Sequence, residues 1–399
     1  MKTNWLLWKN VVTVMMVFSA VMTAKAEIFD GLRHPCIPAS SECEMDFWRL
    51  KGKSLWSYGG WMEVGIYGNQ YGQRNSYDAD GWREDSGNTN FLQTASHSDF
   101  QMNQAWLYLA KARRKHGFDY GGRIDAAYGT DGRFLQSKGL EIRASNEKNH
   151  WGSGDYFLAL PQMYAELGYD NFDVKVGKFL NPLGYESVMS PDRFFYSASY
   201  SYGVLPNTLG GALATWQINP AFTVYGGWGK GEKFFCDRED NAFVGGIVWQ
   251  GGKRLNISYG LISGSIDQPA MMMDTDYYMQ SLVVDFLVTD RLEYVFEWTL
   301  LNRTDGTNQT VYGINNEFFY KLNSRWTAGF RAEWMCENDT DEENALGLTA
   351  GLNWKPCRYF TLRPELRYDL VEHERVFNAV DGPAHKNQVS FGVSGIVKF

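Results

Sequence analysis

The sequence predicts an all-β, transmembrane, up-and-down antiparallel β-barrel of about 16 strands with one loop folded inward. Three observations predict it. From Trp56 to Phe399 the chain falls into segments of roughly ten residues whose polarity alternates with period 2. The polar face of these segments collects Arg, Glu and Asp, while the other is apolar and tipped with Trp, Tyr and Phe. The connections alternate between short and long, as periplasmic turns and external loops do around a barrel.

The chain opens with Lys2 and Lys9, an uncharged and largely apolar run from Val11 to Ala24, and Ala24-Lys25-Ala26. The run is too short for a helical span, and the small-x-small triplet suits a cleavage site. Residues 1–26 are therefore predicted to be a cleaved signal peptide, with the mature chain beginning near Glu27. Residues 27–55 read as a short periplasmic segment, and 56–399 as the barrel. No later run is long and apolar enough for a membrane helix. Mean hydropathy of −0.38 suits a soluble protein, but 16% aromatic residues and 41 glycines point to strands in a membrane. Removing Lys2, Lys9 and Lys25 takes the 38 basic residues to 35 against 46 acidic ones, a net charge of −11. That balance disfavours nucleic acid as a partner.

The strands are read at 56–69, 99–113, 118–128, 159–169, 172–179, 209–218, 222–230, 242–249, 255–264, 277–288, 292–302, 310–320, 326–336, 344–354, 360–369 and 387–399. Segment 292–302 places Leu292, Tyr294, Phe296, Trp298 and Leu300 opposite Glu293, Val295, Glu297 and Thr299. Segment 360–369 opposes Phe360, Leu362, Leu366 and Tyr368 to Thr361, Arg363, Glu365, Arg367 and Asp369. A soluble sandwich would turn its apolar face inward onto a second sheet. Ionic faces repeated from strand to strand instead require a watery lumen, and a sheet in lipid must close because its edge finds no partner there. Short connections such as Asp170-Asn171, Asn219-Pro220 and Gly251-Gly252 carry turn chemistry. The even strand count puts both ends on the periplasmic side. A terminal Phe399 closing Val389-x-Phe391-x-Val393 reads as a signal for the barrel-insertion machinery.

The connection 180–208 holds Tyr185, Phe194, Phe195, Tyr196, Tyr200 and Tyr202, too many rings for a loop in bulk water. It is predicted to fold into the lumen and form a constriction. Strand parity points Arg123, Lys175, Arg331, Arg363, Arg367 and Lys398 inward with Asp119, Asp125, Glu166, Asp173, Glu293, Glu297, Glu333, Glu365 and Asp369. The pore-lining and constriction candidates are Tyr185, Glu186, Asp192, Arg193, Arg331, Glu333, Arg363, Glu365 and Arg367. In one arrangement Arg331, Arg363 and Arg367 face Glu186 and Asp192 across water and set ion preference. In the other, the charges pair along the wall.

The block Val176-Gly177-Lys178-Phe179-x-x-Pro182-Leu183-Gly184-Tyr185-Glu186, followed by Ser197-x-Ser199-Tyr200 and Pro206, resembles the β-barrel porin family 2. The resemblance runs from about Trp56 to Phe399 and is most specific over 176–206. It implies an outer-membrane barrel in a Gram-negative-type bacterium and carries over no catalytic residues. The expected function is passive diffusion of small polar solutes or ions through a charge-lined lumen. A sugar-selective porin, with Tyr185, Tyr200 and Tyr202 as a sliding surface, and a loop-plugged adhesin or receptor are the alternatives. Outer-membrane lipid is the expected surroundings, and a homotrimer is one assembly open to a barrel of this size, the sequence leaving the oligomeric state undetermined. No enzyme, cofactor or metal centre is expected: the six histidines avoid mid-strand positions, and the acidic loop 337–343 lacks the glycine and spacing of a calcium loop. Cys36 and Cys43 are candidates for a local disulfide. Cys236 and Cys336 both fall at external strand ends, and Cys357 lies apart in a turn.

Overall fold

A computed structural model describes residues 55–71, 76–77, 83–85, 100–143, 151–153, 155–231, 241–268, 273–303, 309–338, 342–373, 377–378 and 384–399. The signal segment 1–26, Cys36, Cys43, Cys236 and the centre of the acidic loop 337–343 lie outside these residues.

Sixteen strands close the barrel. They are β1 (Trp56–Asn69), β2 (Phe100–Lys111), β3 (Phe118–Gly129), β4 (Tyr156–Ala159 with Met163–Tyr169), β5 (Phe172–Leu180), β6 (Thr208–Asn219), β7 (Phe222–Gly229) and β8 (Ala242–Gln250). β9 (Leu255–Gln268), β10 (Met273–Leu287), β11 (Leu292–Arg303), β12 (Thr310–Lys321), β13 (Trp326–Asn338), β14 (Glu342–Cys357), β15 (Phe360–Val371) and β16 (Asn387–Lys398) complete it. Each strand pairs antiparallel with its chain neighbours. β1 pairs with both β2, Trp61 opposite Trp106, and β16, Trp61 opposite Lys398, so no ladder edge faces lipid. At the chain end the Phe399 backbone exchanges two 2.9 Å hydrogen bonds with Gly60.

All sixteen predicted segments are strands, and two features differ from expectation. β4 is interrupted at 160–162, where Pro161 has no N–H to give the ladder. β9 and β10 run four residues further toward the long-loop end than the polarity pattern reached, and β14 is longer at both ends. The tightest turn, between β4 and β5, places Asp170 at φ 48°, a left-handed conformation that Asp tolerates. Its carboxylate accepts the Gly117 N–H at 2.8 Å, tying two neighbouring turns together.

The outer face carries two belts of exposed rings. Trp56, Tyr58, Phe118, Tyr120, Tyr169, Phe172 and Trp216 sit at the short-turn end; Phe100, Tyr128, Trp228, Phe243 and Tyr312 sit at the other. Between them lie exposed aliphatics such as Leu107, Val176, Ile247 and Leu366. This is the apolar band and double girdle that lipid selects. The inner face is not uniformly charged. Its β13–β16 sector is ionic, but β6–β10 present Leu209, Leu213, Tyr225, Val244, Ile262 and Met279, all buried.

Leu366 is 54% exposed at the middle of β15. Leu366→Arg is expected to destabilise the barrel in lipid by about 2–4 kcal/mol, measured by reversible unfolding from vesicles. Unchanged stability would contradict the outward assignment of this face.

Candidate functional site

The site begins at the end of β5. Gly177 has φ +139°, and a Cβ there would overlap the backbone of Met163 and Tyr164, so a side chain is excluded. Lys178 follows, fully buried. Its Nζ donates to the Leu135 carbonyl at 2.7 Å and lies 3.3 Å from Glu141 Oε1. Glu141 also accepts the backbone N–H of Ser137 at 2.8 Å and of Leu160 at 2.7 Å. The pair is buried but saturated, the condition under which a buried charge is tolerated, and it fastens the 130–143 connection to β5. Pro182 ends the strand. The Asn181 side chain then accepts the Leu183 N–H at 3.1 Å, and Gly184, at φ +88°, turns the chain.

From Gly184 to Asn207 the chain lies against the inner face of the sheet. On one side Leu183, Val204 and Leu205 pack on the apolar sector of β6–β10. On the other the rings meet glycines: Phe194 lies over Gly329, Phe195 beside Gly351, and Tyr196 over Gly65 and Gly392. A side chain at those wall positions would occupy the space that the rings take.

The loop has little regular structure, so its peptide groups need partners from elsewhere. The ionic sector supplies them. Arginines take carbonyls: Arg363 donates to Ser190, Arg193 and Phe195 at 3.1, 2.8 and 3.2 Å, Arg331 to Ser197 at 2.9 Å, and Arg367 to Ala198 at 2.9 Å. Carboxylates take amides: Glu365 accepts Tyr196 and Ser197 at 2.7 and 2.9 Å, Glu333 accepts Tyr200 at 2.5 Å, and Glu297 accepts Tyr185 at 3.1 Å. Tyr200 Oη donates to Asp369 at 2.6 Å, and Tyr196 Oη donates to Asn103 at 2.9 Å.

Arg331 and Glu186 meet directly, at 2.8 Å, both buried. Of the two arrangements, opposition of Arg363 and Arg367 to loop acids is not found, and pairing along the wall is. Arg363 pairs with Glu63, and Arg367 pairs with Glu333 at 3.0 Å and Asp369 at 2.8 Å. A guanidinium has donors to spare after one carboxylate, and these spend the remainder on loop carbonyls. The three arginines are 0–1% exposed, so they bind the loop and do not face open water. Asp192 lies in the field of Lys398, Arg123 and Lys355, but burial outweighs them and raises its carboxyl. Tyr185 stacks near Phe319, ring centroids 6.4 Å apart. Arg193 lies 3.6 Å from Asp131. Burial pushes Asp131 up to about 6 from the ordinary 3.8 despite Arg193, so ionising it opposes folding increasingly as pH rises through that window.

Three features escaped the sequence reading. Trp61 and Trp106 stack inside the lumen, centroids 4.8 Å apart, with Trp61 Nε1 donating to Gln104 and Trp106 Nε1 to Asp125, each at 2.9 Å. The weak alternation of 99–113 concealed this pair. Lys178 sits where parity alone gave no reason for a charge. The inner apolar sector did have a signal, since 242–249 is apolar on both faces. Between the loop's two limbs and β11 lies a cavity of about 60 Å³, lined by Asn181, Tyr185, Glu186, Ser187, Tyr202, Asn207 and Glu297 among others. Cys336 is buried and Cys357 exposed, both as free thiols.

Arg363→Ala is expected to free the 190–195 stretch, leaving Glu63 buried without its cation at a cost of about 3–5 kcal/mol. Single-channel conductance and proteolysis within 185–200 should both rise; neither rising would contradict the anchoring role.

The barrel is similar in fold to solved outer-membrane channels. The channel DcaP of Acinetobacter baumannii aligns with TM-score 0.53 at 11% identity, covering 86% of this chain and 97% of that one. The outer-membrane protein OmpT of Vibrio cholerae, in its trimer form, aligns with TM-score 0.55 at 10% identity, covering 86% and 99%. An anion-selective porin from Comamonas acidovorans aligns with TM-score 0.54 at 13% identity, again covering 86% and 99%. No curated protein matches the sequence. The family model described as "Putative beta-barrel porin-2, OmpL-like" matches residues 57–399, the whole of the barrel. The chain therefore belongs to the β-barrel porin-2, OmpL-like family of outer-membrane proteins.

Proposed function

We propose that this protein is an outer-membrane porin through which small polar solutes and ions diffuse passively, with residues 181–207 setting the aperture. One observation carries the reading: a closed barrel whose lumen is crossed by a loop bonded to wall residues as far apart as Glu63, Glu297 and Glu365. A 16-stranded lumen is wide enough for a water-filled channel, and a loop held within it narrows the passage by steric and charge effects. The cavity at loop level has room for a few waters only, which supports a passage for small species. Export by residues 1–26, insertion aided by Phe399 and assembly as a trimer complete the proposal. The trimer is suggested by the trimer form of OmpT from Vibrio cholerae.

A plugged barrel acting as a surface receptor is the competing reading, favoured by the full burial of Arg331, Arg363 and Arg367. The sugar-slide reading gains less support, because Tyr185, Tyr200 and Tyr202 are buried against the wall and the loop.

Purified protein in planar bilayers should give discrete conductance steps, and deleting 185–200 should enlarge them severalfold. A barrel that inserts without conducting would favour the plug; equal steps before and after the deletion would remove the loop from the aperture.

A further inference from the structure

We propose that an anionic phospholipid of the periplasmic leaflet docks in a groove on the outer wall across β2–β5, its acyl chain in the groove and its phosphate at Lys111 and Arg114. The site needs only a closed barrel in lipid and does not depend on whether the lumen conducts.

The groove follows from the ladder register. Lys111 of β2 lies opposite Gly122 of β3, Gly122 opposite Ala165 of β4, and Ala165 opposite Val176 of β5. By period-2 alternation this row shares the outer face with the exposed Leu109, Ile124 and Leu167. The middle of the row is nearly bare. A Cβ at Gly122 would stand 2.8 Å from the Tyr164 carbonyl oxygen, which disfavours a side chain there, and Ala165 adds one methyl group. The next row, Leu109–Ile124–Met163, walls one side, and Tyr120–Leu167 walls the other. The groove between them has a volume of about 520 Å³, within the range of about 300–1,000 Å³ of sites that hold small molecules.

Its direction suits a lipid. Lys111 is the last residue of β2, at the short-turn end. Gly122, Ala165 and Val176 each lie four residues inside the short-turn ends of their strands, about 13 Å along the strand. The row therefore climbs from the headgroup boundary into the hydrocarbon band. The exposed rings of Trp56 and Tyr120 stand beside Lys111, at the depth where amphipathic rings meet headgroups.

The foot of the groove is cationic. Lys111 Nζ donates to the Tyr120 carbonyl and lies 3.7 Å above the Tyr120 ring and 3.7 Å from Asp119. An ammonium has three donors, so one is left for a ligand. Arg114 shares Asp119, at 3.2 Å, and its side chain is 72% exposed. Two cations thus draw on one carboxylate. Counting Arg113 and Lys115 of the same turn against Asp170 and Asp173 leaves four cations to three carboxylates, an excess of one positive charge. A phosphate diester answers that excess, and its acyl chain covers the apolar floor that runs up from it.

The test is native mass spectrometry of the purified full-chain protein released from detergent micelles containing phosphatidylglycerol or phosphatidylcholine. The unaltered protein should retain one phosphatidylglycerol per chain in preference to phosphatidylcholine. Arg114→Gln should weaken phosphatidylglycerol retention about fivefold, the equivalent of about 1 kcal/mol for one basic side chain at an anionic lipid surface, and leave phosphatidylcholine unmoved. Ala165→Phe, which fills the groove, should reduce retention of both lipids. Should Ala165→Phe fail to fold, the exposed Arg114 still decides the matter. Equal retention of the two lipids by the unaltered protein, or phosphatidylglycerol retention unmoved by Arg114→Gln, would overturn the proposal. Loss of an oligomer on Ala165→Phe with lipid retention unchanged would assign the groove to a second copy of the chain and overturn it as well. None of these outcomes bears on conductance, so the porin reading stands or falls separately.

Discussion

The molecule depends on a ladder of alternating donors and acceptors on the inner wall. Along β15 the inward positions read Arg363, Glu365, Arg367 and Asp369, and on β13 Arg331 and Glu333 extend the pattern. An irregular loop in the middle of a barrel carries peptide groups that neither a neighbouring strand nor bulk water serves. Guanidinium groups answer its carbonyls and carboxylates answer its amides. The same groups neutralise one another, which is how so many charges can be buried together. Sheet hydrogen bonding holds the wall closed; this side-chain ladder holds the contents of the lumen in place.

The apolar sector works with it. Leu183 and Leu205 anchor the two ends of the loop on β6–β10, while the ionic sector holds its middle. Glycines on the wall open sockets for Phe194, Phe195 and Tyr196, so the loop is located by shape as well as by hydrogen bonding. A narrow space lies between the limbs of the loop and β11.

The barrel was legible in the sequence because lipid on one side and an ionic interior on the other impose period-2 alternation on nearly every strand. Segment 360–369 shows it clearly, and 292–302 shows it with Val295 and Leu301 as apolar positions on the inward face. The loop was legible as an object, since its aromatic content is incompatible with bulk water. Its bonding was only partly legible. Parity identified Arg331, Arg363 and Arg367 as inward-facing, but not that they would bind backbone carbonyls, because a carbonyl leaves no mark in a sequence. The luminal Trp61–Trp106 pair lay in one of the weakest segments, and Lys178 answers a partner, Glu141, 37 residues earlier. Such long-range pairings are set by three-dimensional closure and carry no local pattern.

The most direct measurement of this account is amide hydrogen exchange of the folded protein in lipid, resolved over residues 185–202. If the ladder holds the loop, the amides of Tyr185, Tyr196, Ser197 and Tyr200 exchange as slowly as those of the flanking strands β5 and β6. Exchange of these four amides at the rate of an open surface loop, in a barrel whose strands remain protected, would contradict it.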